Sequence, residues 1–313
     1  MLSGGYMEQK IFQDSMKNDI HVYIYPTKVI KPKGIVHIVH GASEHFVRYG
    51  LFAEYLNAQG YTVVGADFLG HGLSTKTNDY VHFANKKGHQ IALESLTLVK
   101  DFITETYPET KVYLLGHSMG SFLARLLILK FPQFYNKAII SGTTMTPGIV
   151  TQGGIFLCNV IQLFKGPKYI SPMVQKMAID ACPAKMFKDG IIKERNVEWL
   201  TKDASIQNYY ASSPMCGQPF TVSANKDMFK WMAFVDKTKN IRLGHLDQPI
   251  FFVSGKLDPL SNYGESVLAL AERFKAIGYR RVQVKLYEGD RHEILNETDH
   301  LKVYQDILAF IEA

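Results

Sequence analysis

The chain is poor in cysteine and has no long apolar run, and each scarcity excludes a class of protein. Three cysteines, Cys158, Cys182 and Cys216, stand in 313 residues and form no C-x-x-C pair. An odd number at such spacings gives no disulfide framework and suits a reducing compartment. No stretch of about 18 uninterrupted apolar residues occurs, which argues against a membrane-spanning helix. The opening MLSGGYMEQKIFQDSMKND lacks a basic start followed by an apolar region, so an unexported, cytoplasmic protein is expected. There is no Gly/Ser, Pro or Gln tract and no internal repeat. No basic run is interleaved with stacking aromatics, so no nucleic-acid partner is expected. What remains is an ordinary globular composition, 46% hydrophobic and 20% charged.

The order of hydrophobic patterns is more informative. Short β-rich runs at 20–26, 34–41, 61–70, 111–116 and 137–142 alternate with helical patterns, notably near 86–106 and 119–131. From 143 to 243 the alternation stops, and helical pieces rich in Met, Phe, Lys and Pro follow with no convincing strand. Strands at 248–255 and 282–289, with helices near 262–277 and 297–312, then resume it. This order predicts an α/β protein with a doubly wound sheet, its core formed by 1–142 and 244–313, and a helical cap at 143–243. Such sheets bind ligands beyond the carboxyl ends of their strands, so reactive residues belong just after a strand.

Residues 112–121, VYLLGHSMGS, meet that requirement. Gly116 and Gly120 flank Ser118 in G-x-S-x-G, between a predicted strand and a predicted helix, which is the setting of a nucleophile elbow. The turn is tight enough that side chains at the two glycine positions would strike the neighbouring strand and helix. A serine hydroxyl needs a histidine to take its proton and an acid to orient that histidine, in the chain order Ser, Asp, His. Asp258, in KLDPL, follows the strand at 248–255, and His292, in DRHEI, follows the next one. Asp247 and Asp290 are rival acids, although Asp290 is close in sequence to His292; His300 falls within the last helix. An Asp-Pro turn and a surface histidine are the plainer readings of Asp258 and His292.

An oxyanion hole requires two backbone donors. Met119, next after the serine, supplies one, and Ala42, in VHGASEH at the end of a strand, is the choice for the other. His37, His40 and His45 are close in sequence, but positions 37 and 40 point to opposite faces of one strand and cannot chelate a single metal. His71, in a Gly-rich loop, reads as a loop-stabilising group, and His117 is given no chemistry.

Together HGASEHFVRY, DFLGHGLS, GHSMGS, SGKLDPL and GDRHEILNE resemble the monoacylglycerol lipase and lysophospholipase branch of the α/β-hydrolases, and SSPMCGQPFT is similar to the cap of its bacterial members. The resemblance spans roughly 20–312. It implies a mostly parallel sheet flanked by helices, with a cap inserted after the sixth strand. It also implies a Ser118, Asp258 and His292 triad, Ala42 and Met119 at the oxyanion hole, and no cofactor or metal. The expected activity is hydrolysis of a lipid ester, a monoacylglycerol or lysophospholipid, through an acyl-enzyme. A serine aminopeptidase on the same triad is the alternative, with Glu194, Glu198 or Asp203 to meet a substrate amine; a catalytically silent binding protein is a further one. The cap segment holds 13 Lys and Arg against 7 Asp and Glu, which accounts for the whole net charge of +6. That excess is either a solvated face or an approach surface for anionic lipid, which would make the protein peripheral to membranes.

Overall fold

The computed structural model describes residues 6–194 and 197–313. The expected core and insertion thus each include a few residues, 1–5 and 195–196, outside the described ones. Eight strands form one sheet: β1 (Glu8–Gln13), β2 (Asp19–Tyr25), β3 (Gly34–Val39), β4 (Tyr61–Ala66), β5 (Val112–His117), β6 (Lys137–Ser141), β7 (Ile250–Gly255) and β8 (Val282–Tyr287). Their spatial order is β1-β2-β4-β3-β5-β6-β7-β8. Pairing is antiparallel for β1 with β2 and β2 with β4, and parallel from there on. β1 is a strand the sequence pattern did not announce, because EQKIFQ is nearly all exposed and has no apolar face to read.

The helices are α1 (Gly50–Ala58), α2 (Gly88–Thr106), α3 (Met119–Lys130), α4 (Gly148–Lys165), α5 (Pro172–Ala178), α6 (Ala181–Lys188), α7 (Ala204–Ser212), α8 (Val222–Val235), α9 (Thr238–Ile241), α10 (Glu265–Ile277) and α11 (His300–Glu312). The period-2 alternation of the strands assigns each face its partners. In β5, Val112 and Leu114 join Leu96, Leu123 and Leu270 from α2, α3 and α10, whereas Tyr113 and Leu115 join Phe52 and Ile307 from α1 and α11. Parallel strands covered on both faces give the continuous apolar runs seen in β3 through β7.

The segment between β6 and β7 carries α4 to α9. Its α8 buries Ala224, Trp231 and Val235 in the same apolar cluster as α2 and α3, and a single parallel bridge joins Val81 to Phe220. Arg125 of α3, fully buried, ties this junction together. It donates to the carbonyls of Val235 (3.0 Å) and Thr144 (3.3 Å) and pairs with Asp236 at 2.5 Å, while Asp236 also accepts from the Thr146 N–H at 2.9 Å. Replacing Arg125 by Met keeps its apolar stem but strands a buried carboxylate. The expected loss is about 3–5 kcal/mol of unfolding free energy by denaturant titration, and Arg125→Met with Asp236→Asn should recover part of it.

Candidate active site

The strand β5 ends in a turn that the backbone can make only at a cost. Ser118 sits at φ 54°, ψ −120°, a region that side-chain-bearing residues rarely adopt. It is held there from both sides: its N–H donates to the Ser141 carbonyl at 3.0 Å, and its carbonyl accepts from the Ser121 N–H at 2.9 Å and the Ser121 hydroxyl at 2.5 Å. The glycines leave room for this. A Cβ on Gly116 would lie 2.3 Å from the Gly120 carbonyl oxygen and 2.5 Å from Ala124 Cβ, and one on Gly120 would lie 2.1 Å from the Val39 carbonyl oxygen. Strand β3 and helix α3 therefore close directly on the turn, leaving the Ser118 side chain facing the cavity above the sheet.

Asp258 follows β7 and is fully buried, and its Oδ2 lies 3.0 Å from His292 Nδ1. The same oxygen accepts from the Ser254 hydroxyl (3.2 Å), and Oδ1 accepts from the Leu260 N–H (2.9 Å), so the carboxylate cannot turn freely. His292 Nε2, in the loop after β8, is buried and makes no hydrogen bond among the described residues; His292 and Ser118 line one cavity. Burial works to lower the pKa of His292, but the charge and hydrogen bond of Asp258, then the charges of Glu293 and Glu44, outweigh it and raise it. The rival groups lie elsewhere. Asp247 pairs with Arg280 at the surface (3.0 Å). Asp290 pairs with Lys202 (2.9 Å), and burial pushes its carboxyl up to about 6. The His300 imidazole donates to the Glu297 carbonyl at the start of α11 (2.7 Å).

Ala42 and Met119 both line the cavity. As the first residue of α3, Met119 has an N–H with no acceptor inside the helix. The loop presenting Ala42 is fixed by a buried histidine to which sequence reading gave no role. His40 donates from Nδ1 to the Gly41 carbonyl (2.8 Å) and accepts at Nε2 from the Phe68 N–H (2.8 Å). The neighbouring Gly41 N–H donates to Glu44 (2.6 Å). His71 makes a local bond to the Leu69 carbonyl (3.3 Å), and His37 a bond to the Tyr135 hydroxyl (3.0 Å).

A buried charge cluster beside His292 was also missed. The Arg48 guanidinium pairs with Glu44 and makes a two-pronged contact with Glu293 (2.8 and 2.6 Å); Tyr49 donates to Glu44 (2.9 Å), and the Tyr210 ring covers Arg48 at 5.0 Å. Burial works to raise the Glu44 carboxyl, but Arg48, His117, His40 and the Gly41 N–H hold it at about 2. The i, i+4 spacing of Glu44 and Arg48 was legible in HGASEHFVRY; their burial was not. His117 packs 4.8 Å from the His292 ring, and burial, then the His292 charge, lowers it to about 4, so it stays neutral.

The cavity encloses about 380 Å³. Its lining includes the apolar side chains of Phe122, Met145, Val150, Met177, Ile179 and Phe229 and the polar ones of Ser43, Glu44, Gln218 and Glu293. Glu194, Glu198 and Asp203 are not among its lining residues; Asp203 instead caps α7, accepting from the N–H groups of Ser205 (2.8 Å) and Ile206 (3.2 Å).

Comparison with known proteins bears on the family and the fold. Residues 30–299 match the family Hydrolase_4, described as serine aminopeptidase, S33. The chain is 31% identical to the monoglyceride lipase of Homo sapiens over 269 residues, covering 85% of this chain and 77% of that protein. It is 24% identical to the monoacylglycerol lipase of Mycolicibacterium smegmatis over 93% of this chain and 92% of that one. Among solved structures, a thermostable carboxyl esterase from Bacillus coagulans superposes with a TM-score of 0.88 at 24% identity, over 98% of both chains. The chain thus belongs to the Hydrolase_4 family and is a serine ester hydrolase with the α/β-hydrolase fold, on the monoglyceride lipase and lysophospholipase branch.

Proposed function

We propose that the protein hydrolyses a monoacylglycerol through an acyl-enzyme on Ser118, with His292 as general base and Asp258 as its orienting acid. The observation that carries this reading is one cavity lined by Ser118 and His292 together with both apolar and polar side chains. An acyl chain suits the apolar ones and a small hydroxylated alcohol the polar ones. Ser118 Oγ attacks the ester carbonyl as its proton passes to His292 Nε2, and Asp258 stabilises the resulting imidazolium. The N–H groups of Ala42 and Met119 receive the oxyanion. The C–O bond to the alcohol then breaks, His292 returns the proton to the departing alkoxide, and water repeats the cycle on the acyl-serine. A lysophospholipid would place a phosphate beside Glu44 and Glu293, which disfavours it. Aminopeptidase activity is disfavoured because the two carboxylates lining the cavity, Glu44 and Glu293, are both engaged by Arg48.

Segment 143–243 acts in this reading as the cap that meets the lipid surface. One face of α4 presents Ile149, Phe156, Val160 and Leu163 to solvent, Phe156 and Leu163 at 70% and 80% exposure, while the opposite face packs Gly154 and Cys158 inward. Lys165, Lys168 and Lys176 are exposed nearby in the chain. Val150 of α4 and Met177 of α5 are exposed apolar residues that also line the cavity. Apolar and basic side chains together match an anionic lipid interface.

Ser118→Ala, His292→Ala and Asp258→Asn should each lower turnover of monoacylglycerol by on the order of 10³ or more with little loss of folding, and the losses should not multiply. In a panel of monoacylglycerols, lysophospholipids and aminoacyl anilides, the first should turn over fastest. Preference for the anilides would sink the ester reading.

Because the base must be neutral, kcat/KM for a soluble ester should fall on acidification with an apparent pKa above the ordinary histidine value of about 6.5. A pH–rate profile checks this, and a midpoint well below that value would contradict the Asp258 contact.

Cosedimentation should show tighter binding to anionic than to neutral vesicles at low salt, fading as salt rises over a Debye length of about 8 Å at physiological strength. Reversing Lys165, Lys168, Lys176 and Lys188 to Glu should weaken that binding and leave soluble-ester turnover intact. Lys185 is left alone because it already pairs with Asp189 (3.3 Å) and covers the Tyr263 ring.

A further inference from the structure

Among the described residues the His292 ring makes one hydrogen bond, to Asp258. A single hydrogen bond sets the distance of a ring but leaves its tilt loosely defined. Two rings bear on tilt: His117, inclined at 47° to the imidazole, and a more nearly parallel one from the long segment between β6 and β7. Trp199, at the end of the 3₁₀ turn Val197–Trp199, lays its indole against the imidazole with centroids 4.8 Å apart and planes 26° from parallel.

The backbone of the same turn is stitched to the loop that carries His292. The Trp199 carbonyl accepts from the His292 N–H (3.4 Å), and the Leu200 carbonyl accepts from the Glu293 N–H (2.7 Å). Arg291 donates to the Glu198 carbonyl (2.5 Å) and the Thr201 carbonyl (3.2 Å), and the Thr201 hydroxyl donates to the Asn296 carbonyl (2.9 Å). The Lys202 ammonium reaches the buried Asp290 at 2.9 Å. The indole is therefore anchored at its own backbone to the histidine it covers.

We propose that Trp199 is a positioning residue for His292, so that the insertion supplies part of the catalytic geometry as well as a wall of the cavity. The inference rests on the reading of His292 as general base. Two physical effects act through the same stack. Asp258, the His117 ring and the indole together hold the imidazole, with Nε2 turned away from the acid. When Ser118 loses its proton, the ring becomes a cation against an aromatic face, an attraction that grows only as the charge forms. Nothing in that account requires Trp199 to touch the substrate, although it also lines the cavity.

The full-length protein and a p-nitrophenyl ester give the test. Trp199→Ala should lower kcat about tenfold, within the range expected for loss of one cation–π contact, with KM changed by less than about twofold. Trp199→Phe should restore most of the rate and Trp199→Leu should not, because leucine fills volume without a π face. Labelling of Ser118 by a fluorophosphonate should slow in step with kcat, since it needs an activated serine and no acyl pocket. A rise in KM at constant kcat would make Trp199 only a wall, and equal rescue by Leu and Phe would make it only a packing group; either overturns the proposal. Should the alanine variant fail to fold, the Phe and Leu pair still decides. Turnover that survives Ser118→Ala would reject the functional reading itself, whatever Trp199 does.

Discussion

Everything at the candidate active site depends on how closely β3 and α3 approach the turn at Ser118. The carbonyls of Val39 and His40 lie where a Cβ on Gly120 would stand, so the sheet and the helix leave room for nothing larger than a hydrogen there. That closeness forces the unusual backbone of Ser118, and the bonds to Ser141 and Ser121 keep it from relaxing. Strain of order 1–3 kcal/mol is tolerable only because neighbours over-determine it. The same approach brings the end of β3, with Gly41 and Ala42, to the first turn of α3: a Cβ on Gly41 would stand 3.1 Å from Ser118 Cβ. The serine and the proposed oxyanion donors are thus consequences of one packing contact.

Around this turn the charges alternate in sign. Asp258 faces His292, and Arg48 stands between Glu44 and Glu293, all buried. Two carboxylates around one guanidinium leave a negative excess beside the histidine, and it acts in the same direction as Asp258. An imidazolium is therefore favoured by groups on three separate loops. A buried network of this kind contributes little net stability compared with apolar packing. In the proposed reaction its effect is to fix a field where the imidazolium would form.

The fold was legible where residues are buried on two faces, because continuous apolar runs such as IVHIV and VYLL can be little else in a chain of this rhythm. It was illegible at β1, whose exposed residues have no pattern to disclose, and so were the antiparallel pairings at that end of the sheet. Asp258 and His292 were readable from their positions after strands, and the hydrogen bond between them needed only the topology. Glu44, Arg48, His40 and Trp199 were a different case. His40, Arg48 and Trp199 derive their meaning from partners between 28 and 245 residues away, Glu44 has its partners within five residues, and in every case a charge or an indole in one sequence gives no sign of whether it is buried. The insertion hid most, since its helices show composition rather than spacing.

The two outer strands of the sheet bear on how the molecule behaves in company. β1 offers a backbone edge that pairs with no further described strand, but Glu8 and Lys10 stand on it and only Ile11 is an exposed apolar side chain there. At the far edge, β8 carries Lys285, which reaches Asp306 at 2.6 Å. A charge set along an open edge makes the docking of a foreign strand cost desolvation without apolar gain. Both rims are therefore poor templates for continued stacking of sheets from one molecule to the next. A chain that leaves a broad oily surface on one helix can remain dispersed at high concentration only if its open strands do not also recruit neighbours.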